Sequence, residues 1–122
     1  MKQKIMIVDD DKRFLQELRD TLDLSGYKTI AVNDSTHALN MACTRKPDLI
    51  LLDLKMDKMS GFQVAQALRQ SPETAGIPII VMSAIFNKEK HSQMMDLYGI
   101  KTGLKKPFRP MELLKQIRRA LI

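Results

Sequence analysis

Three aspartates in a row, Asp9, Asp10 and Asp11, follow the short apolar run IMIV. Other polar residues stand in the same way after other apolar runs: Asp53 after LILL, Ser83 after IIVM, and Lys106, itself followed by Pro107, after GLK. Carboxylates a few ångströms apart raise one another's pKa and do not all stay ionised without a compensating cation. Mg2+ suits such a place, because it prefers oxygen ligands and is held by one or two carboxylates together with waters and phosphate oxygens. With Asp9 and Asp10 on the ion, Asp53 would stay deprotonated and act as a nucleophile without a general base, and an aspartyl phosphate is a known product of this side chain. A lysine ammonium (Lys106) and a hydroxyl (Ser83) would then cover the remaining oxygens of a transferring phosphoryl group. The chemistry these residue types fit is phosphoryl acceptance, provided that the fold brings them together.

Parallel strands would do so. Apolar runs bounded by polar or turn residues recur at Lys4 to Val8, Lys28 to Val32, Asp48 to Leu52, Ile77 to Met82 and, more weakly, Gly103 to Lys105, and predict five strands. Between them lie residues at helical spacing: Phe14, Leu15, Leu18, Leu22 and Leu24; Ala38, Leu39, Met41 and Ala42; Val64, Ala65, Ala67 and Leu68; Met94, Met95 and Leu97; Leu113, Leu114, Ile117, Ala120 and Leu121. Asp34 and Ser35 suit the start of the second helix, Gly26 and Gly99 the ends of the first and fourth. Regular alternation implies a doubly wound α/β fold, its parallel strands joined by right-handed crossovers with helices on both faces. Ligands of such folds sit beyond the carboxyl ends of the strands. Site residues spread from position 9 to position 106 would therefore share one edge of the sheet.

Composition narrows the class. A chain of 122 residues, 44% hydrophobic and 28% charged, without low-complexity tracts, predicts one domain over 1–122. Cys43 is the only cysteine, which excludes an internal disulfide and suits a reducing compartment. No apolar stretch has the length of a membrane span or the form of a signal peptide, so a cytoplasmic location is expected. The net charge of +6 comes without an aromatic platform, Phe and Tyr totalling six, and no direct nucleic-acid binding is expected. Asp9, Asp10, Asp11, Asp53 and Asp57 make up five of the 14 acids, leaving 20 cations against nine acids elsewhere. An acidic site on a basic body would attract cations locally and acidic partners over the rest of its surface.

The blocks IMIVDDD, PDLILLDLKMDKMSG, PIIVMSA and GLKKPF, in order and in register over essentially the whole chain, resemble those of the two-component response regulator receiver domain, the chemotaxis-regulator-like family. The resemblance implies a flavodoxin-like, five-stranded parallel sheet of order 2-1-3-4-5 with five helices on two faces. It implies that Asp53 is phosphorylated by a histidine kinase phosphohistidine, a phosphotransfer protein or a small acyl phosphate. Mg2+ would be held directly by Asp10, through water by Asp9, and by Asp53 and the backbone carbonyl of Lys55. Ser83 would be the switch hydroxyl, and Lys106 the phosphate-binding lysine, its bond to Pro107 cis, with Lys105 on the opposite face. Activity would be confined to the domain's own phosphorylation and dephosphorylation, switching a surface formed by the fourth helix, fifth strand and fifth helix. That surface would meet a downstream protein target, an output domain or a second copy. Asp11, the third acid, reads from its position as the cap of the first helix.

Three positions depart from the family pattern. Asp57 replaces a proline and reads as a solvated turn residue, while Lys55 stands close to the acceptor. Gly103 occupies the place of an aromatic residue that turns inward during switching, so the movement of Ser83 must pass through the Ser83 to Ala84 loop and the fourth helix, with Tyr98 or Phe86 moving instead. His37 and His91 read as exposed helix residues. Two other functions compete: a phosphorylation-independent interaction module, which Gly103 favours, and a phosphohydrolase resembling the haloacid dehalogenase superfamily, in which Asp9 and Asp11 would supply the Asp-x-Asp motif.

Overall fold

The computed structural model describes residues 1–122. Strands β1 (Lys4–Val8), β2 (Lys28–Val32), β3 (Leu49–Asp53), β4 (Ile79–Ser83) and β5 (Thr102–Lys105) alternate with helices α1 (Lys12–Leu24), α2 (Ala38–Arg45), α3 (Gly61–Gln70), α4 (Lys88–Leu97) and α5 (Pro110–Ala120). All four strand pairs are parallel, in the order β2-β1-β3-β4-β5. The expected class and strand order are both found.

Every residue of β3 and β4 is buried, as a strand covered on both faces requires. Alternate strand residues feed two cores. Met6, Val8, Ile50, Leu52 and Val81 pack with α2, α3 and Met95 of α4, whereas Ile5, Ile7, Leu51, Met82 and Leu104 pack with Leu18 and Leu22 of α1 and Leu113 and Ile117 of α5. Burying one such Leu or Ile side chain contributes about 1.5–3 kcal/mol.

Several boundaries differ from the expected ones. β3 starts at Leu49 and ends on Asp53 itself, because Asp48 is spent at the entrance, where its carboxylate accepts the Lys4 N–H at 2.8 Å. β4 starts at Ile79, since Ile77 is taken up by the preceding turn: its N–H donates to the Thr74 carbonyl and its carbonyl accepts from Arg69 Nη1 at 2.7 Å. β5 begins one residue early, at Thr102. Asp34 caps a 3-10 turn, Ser35–His37, that leads into α2. Gly26 and Gly99 close α1 and α4 as expected, with φ of 93° and 64°. Leu24, Met94 and Leu97 belong to no apolar face; Leu24 and Leu97 are 90% and 69% exposed. For α4 the reason is a narrow contact, in which only Met95 is buried.

One glycine fixes where α3 starts. A Cβ on Gly61 would meet the backbone of Asp53 and Leu54, and the Gly61 N–H donates to the Leu54 carbonyl at 2.8 Å. The helix therefore rests directly on the backbone that carries Asp53. Gly61→Ala is expected to destabilise the fold by about 3 kcal/mol, because backbone rather than a mobile side chain must move. Urea unfolding of the variant measures this, and a midpoint equal to that of wild type would contradict the close approach.

Candidate functional site

At the carboxyl ends of β1, β3 and β4 the sequence leaves polar groups where the apolar runs stop. The Asp9 N–H donates to the Val32 carbonyl at 3.0 Å, carrying the β1–β2 pairing one residue past the strand. This leaves the Asp9 side chain only 1% exposed. Its Oδ1 accepts the Asp11 N–H at 2.9 Å, and its Oδ2 faces Lys106 Nζ at 2.6 Å. Asp10 turns out to the rim and accepts the Asp57 N–H at 3.0 Å. Asp11 turns the other way: its Oδ1 takes the N–H groups of Arg13 and Phe14 and caps α1. The three adjacent acids thus do three things, and the Asp-x-Asp phosphohydrolase reading fails because the Asp11 carboxylate is occupied by the helix.

Asp53 closes β3 and is 6% exposed. Carboxylate oxygens of Asp9, Asp10 and Asp53 lie within 4.8 Å of one another. Burial, reinforced by the charge of Asp9, pushes the Asp53 carboxyl above the usual carboxylate range, and Lys106, the Ser83 hydroxyl and the Lys55 N–H oppose that push. Ser83 closes β4, 2% exposed, and accepts the Ile85 N–H at 3.3 Å. Lys106 follows β5. Its N–H donates to the Ser83 carbonyl at 3.0 Å, and its ammonium stands 3.7 Å from Asp53 Oδ2. The Lys106–Pro107 bond is cis, as the resemblance implied, and Lys105 is exposed.

All the expected side chains therefore meet at one edge: Asp9, Asp10, Asp53, Ser83 and Lys106. Lys55 contributes an N–H toward the acceptor. Three carboxylates, two of them buried, fit a divalent cation, and the ammonium and hydroxyl fit the oxygens of an anion placed on Asp53.

Other residues that shape the site were not identified in the sequence. The Phe14 ring lies under Lys106, its centroid 3.9 Å from Nζ, and meets the Phe108 ring edge to face at 6.1 Å. Ser35, 4% exposed, accepts the Met59 N–H at 2.8 Å, and Lys58 Nζ reaches Asp34 at 2.7 Å. These bonds tie the loop after Asp53 to the entrance of α2. Lys58 and the Thr36 hydroxyl hold the Asp34 carboxyl well below the usual range. The spacing from Lys106 to Phe108 was the available signal for the first group; Asp34 and Ser35 showed only as helix starts.

Gly103 has a specific neighbour. A Cβ there would run into the Phe86 ring, so that ring fills the space a side chain at 103 would need. The Phe86 N–H donates to the Ser83 carbonyl at 3.2 Å, and its ring stacks on His91 of α4 with centroids 5.8 Å apart and planes at 19°. His91 is accordingly half-buried and accepts the Asn87 N–H on Nδ1 at 3.0 Å, a correction to its expected exposure. Gly103→Ala is expected to cost no more than about 1 kcal/mol, because the far end of the Phe86 side chain can give way, and most of that cost should vanish when Phe86→Leu is added. Thermal unfolding of the two single variants and the double variant measures the coupling; strict additivity would contradict the contact.

A family model described as the response regulator receiver domain matches residues 5–118. The chain is 34% identical, over 99% of its length, to the DNA-binding response regulator MtrA of Mycobacterium tuberculosis and to the alkaline phosphatase synthesis transcriptional regulatory protein PhoP of Bacillus subtilis. It spans about half the length of these relatives, 51% and 49%. The fold of the chemotaxis response regulator CheY4 of Vibrio cholerae superposes with a TM-score of 0.91 at 31% identity, covering 99% of this chain and all of that one. With the motifs in register, the strand order matched and the acids, hydroxyl and lysine gathered at one sheet edge, the chain belongs to the response regulator receiver domain family.

Proposed function

We propose that this domain accepts a phosphoryl group on Asp53 from a histidine kinase or phosphotransfer protein and loses it again by hydrolysis. The observation that carries the reading is the grouping of Asp9, Asp10 and Asp53 within 4.8 Å, with the Lys106 ammonium between Asp9 and Asp53. In the transfer, an Asp53 oxygen forms a bond to phosphorus while the phosphorus–nitrogen bond of phosphohistidine breaks. Asp9, Asp10, Asp53 and the Lys55 carbonyl would hold Mg2+, which supplies charge neutralisation for the donor's oxygens. Lys106 pairs with one phosphoryl oxygen and the Ser83 hydroxyl donates to another. Asp57 lends its N–H to Asp10 and so orients a ligand from outside. Incubation with a small acyl phosphate and Mg2+ is expected to add the mass of one phosphate, and peptide mapping to place it on Asp53. Label on Asp9, or none, would refute the reading.

The output surface has a charge that favours one class of partner. Residues 1–87 contain eleven Lys and Arg against eleven acids, whereas residues 88–122, which make α4, β5 and α5, contain nine against three. The whole net charge of +6 therefore falls in the segment that forms the proposed switching surface, and all of that segment's cations except Lys106 lie outside the phosphoryl site. Exposed Leu97, Met94 and Met111 lie among those cations. An acidic, partly apolar segment of a target or output domain fits such a surface, while a second copy would bring like charges together. Acidic-partner binding is expected to weaken as salt rises and pairing between copies to strengthen, a contrast that sedimentation across a salt series measures.

A further inference from the structure

We infer that Phe14 is a positioning residue for phosphoryl transfer, holding the Lys106 ammonium by the face of its ring. The inference rests on the reading of Asp53 as phosphoacceptor.

The Lys106 ammonium has neighbours of two kinds. On one side stand carboxylates, Asp9 Oδ2 at 2.6 Å and Asp53 Oδ2 at 3.7 Å. On another lies the Phe14 ring, its centroid 3.9 Å from Nζ. The lysine side chain is only 17% exposed, so the ring takes up contact area that water would otherwise fill. A cation over an aromatic face is attracted by the ring quadrupole, more strongly where water is excluded. The attraction does not saturate a hydrogen-bond donor and has no preference between Asp9 and Asp53. Lys106 can thus exchange one anionic partner for another without leaving the ring, which a hydrogen-bonded anchor would not allow.

Two further contacts hold the ring in place. Phe14 is the third residue of α1, and its N–H is fixed by the Asp11 cap at 3.1 Å. Phe108, two residues after Lys106, meets Phe14 edge to face, with ring planes at 86°. The loop that carries the ammonium thus grips the ring that orients it. An aliphatic residue of similar size at position 14 would fill the space and offer no quadrupole.

The test separates those two roles. Phe14 is replaced by mono-, di- and trifluorinated phenylalanine, which keep the ring and drain its quadrupole, and by Phe14→Leu. Two quantities are read: the rate of labelling by acyl phosphate with Mg2+, and, in the unphosphorylated protein, the NMR shift of the Lys106 methylene protons, which a ring face moves upfield. The rate is expected to fall stepwise along the fluorinated series, by roughly three- to tenfold in total, with Phe14→Leu at or below its end. Wild type is expected to show the upfield shift and Phe14→Leu to lack it.

A flat rate across the fluorinated series, with a loss only in Phe14→Leu, would overturn the inference and leave Phe14 as packing. Absence of the upfield shift in wild type would overturn it whether or not the protein is labelled. A wild type that keeps the shift but takes no phosphate would refute the phosphoacceptor reading and, with it, the positioning role.

Discussion

Asp53→Asn is expected to take no phosphate from acyl phosphate and, in the absence of divalent cations, to melt at a higher temperature than wild type. Both effects come from the same carboxylate. Asp53 is the acceptor in the proposed reaction, and an amide has no ionised oxygen to attack phosphorus. In the metal-free protein, however, that oxygen is a cost, since burial and the Asp9 charge together raise its pKa despite Lys106. The sign follows from linkage. A carboxyl whose folded pKa lies above its unfolded one binds its proton more tightly when folded. Its stabilising effect is complete below the unfolded value and is lost as pH rises through the folded value. At neutral pH the ionised Asp53 therefore weakens the fold, and Asn removes that penalty. The expected result in metal-free buffer at pH 7 is therefore a Tm above that of wild type. The advantage should shrink as pH falls toward the ordinary carboxylate value of 3.8.

Magnesium should reverse the ranking. A ligand at one hundred times its Kd stabilises the state that binds it by about 2.7 kcal/mol. Wild type, with three carboxylates grouped within 4.8 Å, should gain that increment, and Asp53→Asn, with two, should gain much less. A titration of Tm against Mg2+ for the two proteins at pH 7 gives crossing curves on this account. Parallel curves would mean that Asp53 does not help to hold the ion.

The strands and the meeting of Asp9, Asp10, Asp53, Ser83 and Lys106 were legible because each depends on a local signal, whereas the strand order was implied only by the resemblance of the sequence blocks to the family. An apolar run that ends on a polar residue marks a strand end, and parallel strands bring such ends together whatever lies between them. What escaped was set by tertiary contact. Ile77 is cut off from the strand by Pro78, and its carbonyl is claimed by Arg69, eight residues earlier, a contact that the apolar pattern does not show. Leu97 has helical spacing, yet α4 buries only Met95, so the period has no core to face. Phe14 read as one more apolar position of α1, because a quadrupole is used only when a cation from the other end of the chain lies over it. Gly103 was visible as a departure, and Phe86 was named among the residues that could stand in for the missing ring; that the ring rests on Gly103 itself needed the fold.

Lys106→Met provides the other large effect, and its two consequences can be separated. Asp9 is 1% exposed and has one full counter-charge, the Lys106 ammonium at 2.6 Å; its remaining bond is the Asp11 N–H at 2.9 Å. Methionine is one atom shorter and keeps most of the apolar stem beside the Phe14 ring while removing the charge. A buried carboxylate then stands beside Asp53 with nothing between them but dielectric. Removing one partner of such a pair costs about 3–5 kcal/mol; the lower end applies here because Asp10 opens the site to water. A second change, Asp9→Asn, should restore most of this loss, since two neutral groups need no pairing. Added Mg2+ should restore part of it in Lys106→Met itself, because the acids then face a cation again, and should stabilise the double variant much less, since only Asp10 and Asp53 remain as carboxylate ligands there. Phosphoryl transfer should respond differently. The lost ammonium faced charge that develops on the phosphoryl oxygens, a contribution worth about a hundred- to a thousandfold in rate, and Asp9→Asn offers no substitute for it. Stability that recovers in the double variant while labelling stays slower than in Asp9→Asn alone would locate the ammonium's role in the transfer itself, whereas labelling equal to that of Asp9→Asn would reduce Lys106 to a counter-ion for Asp9.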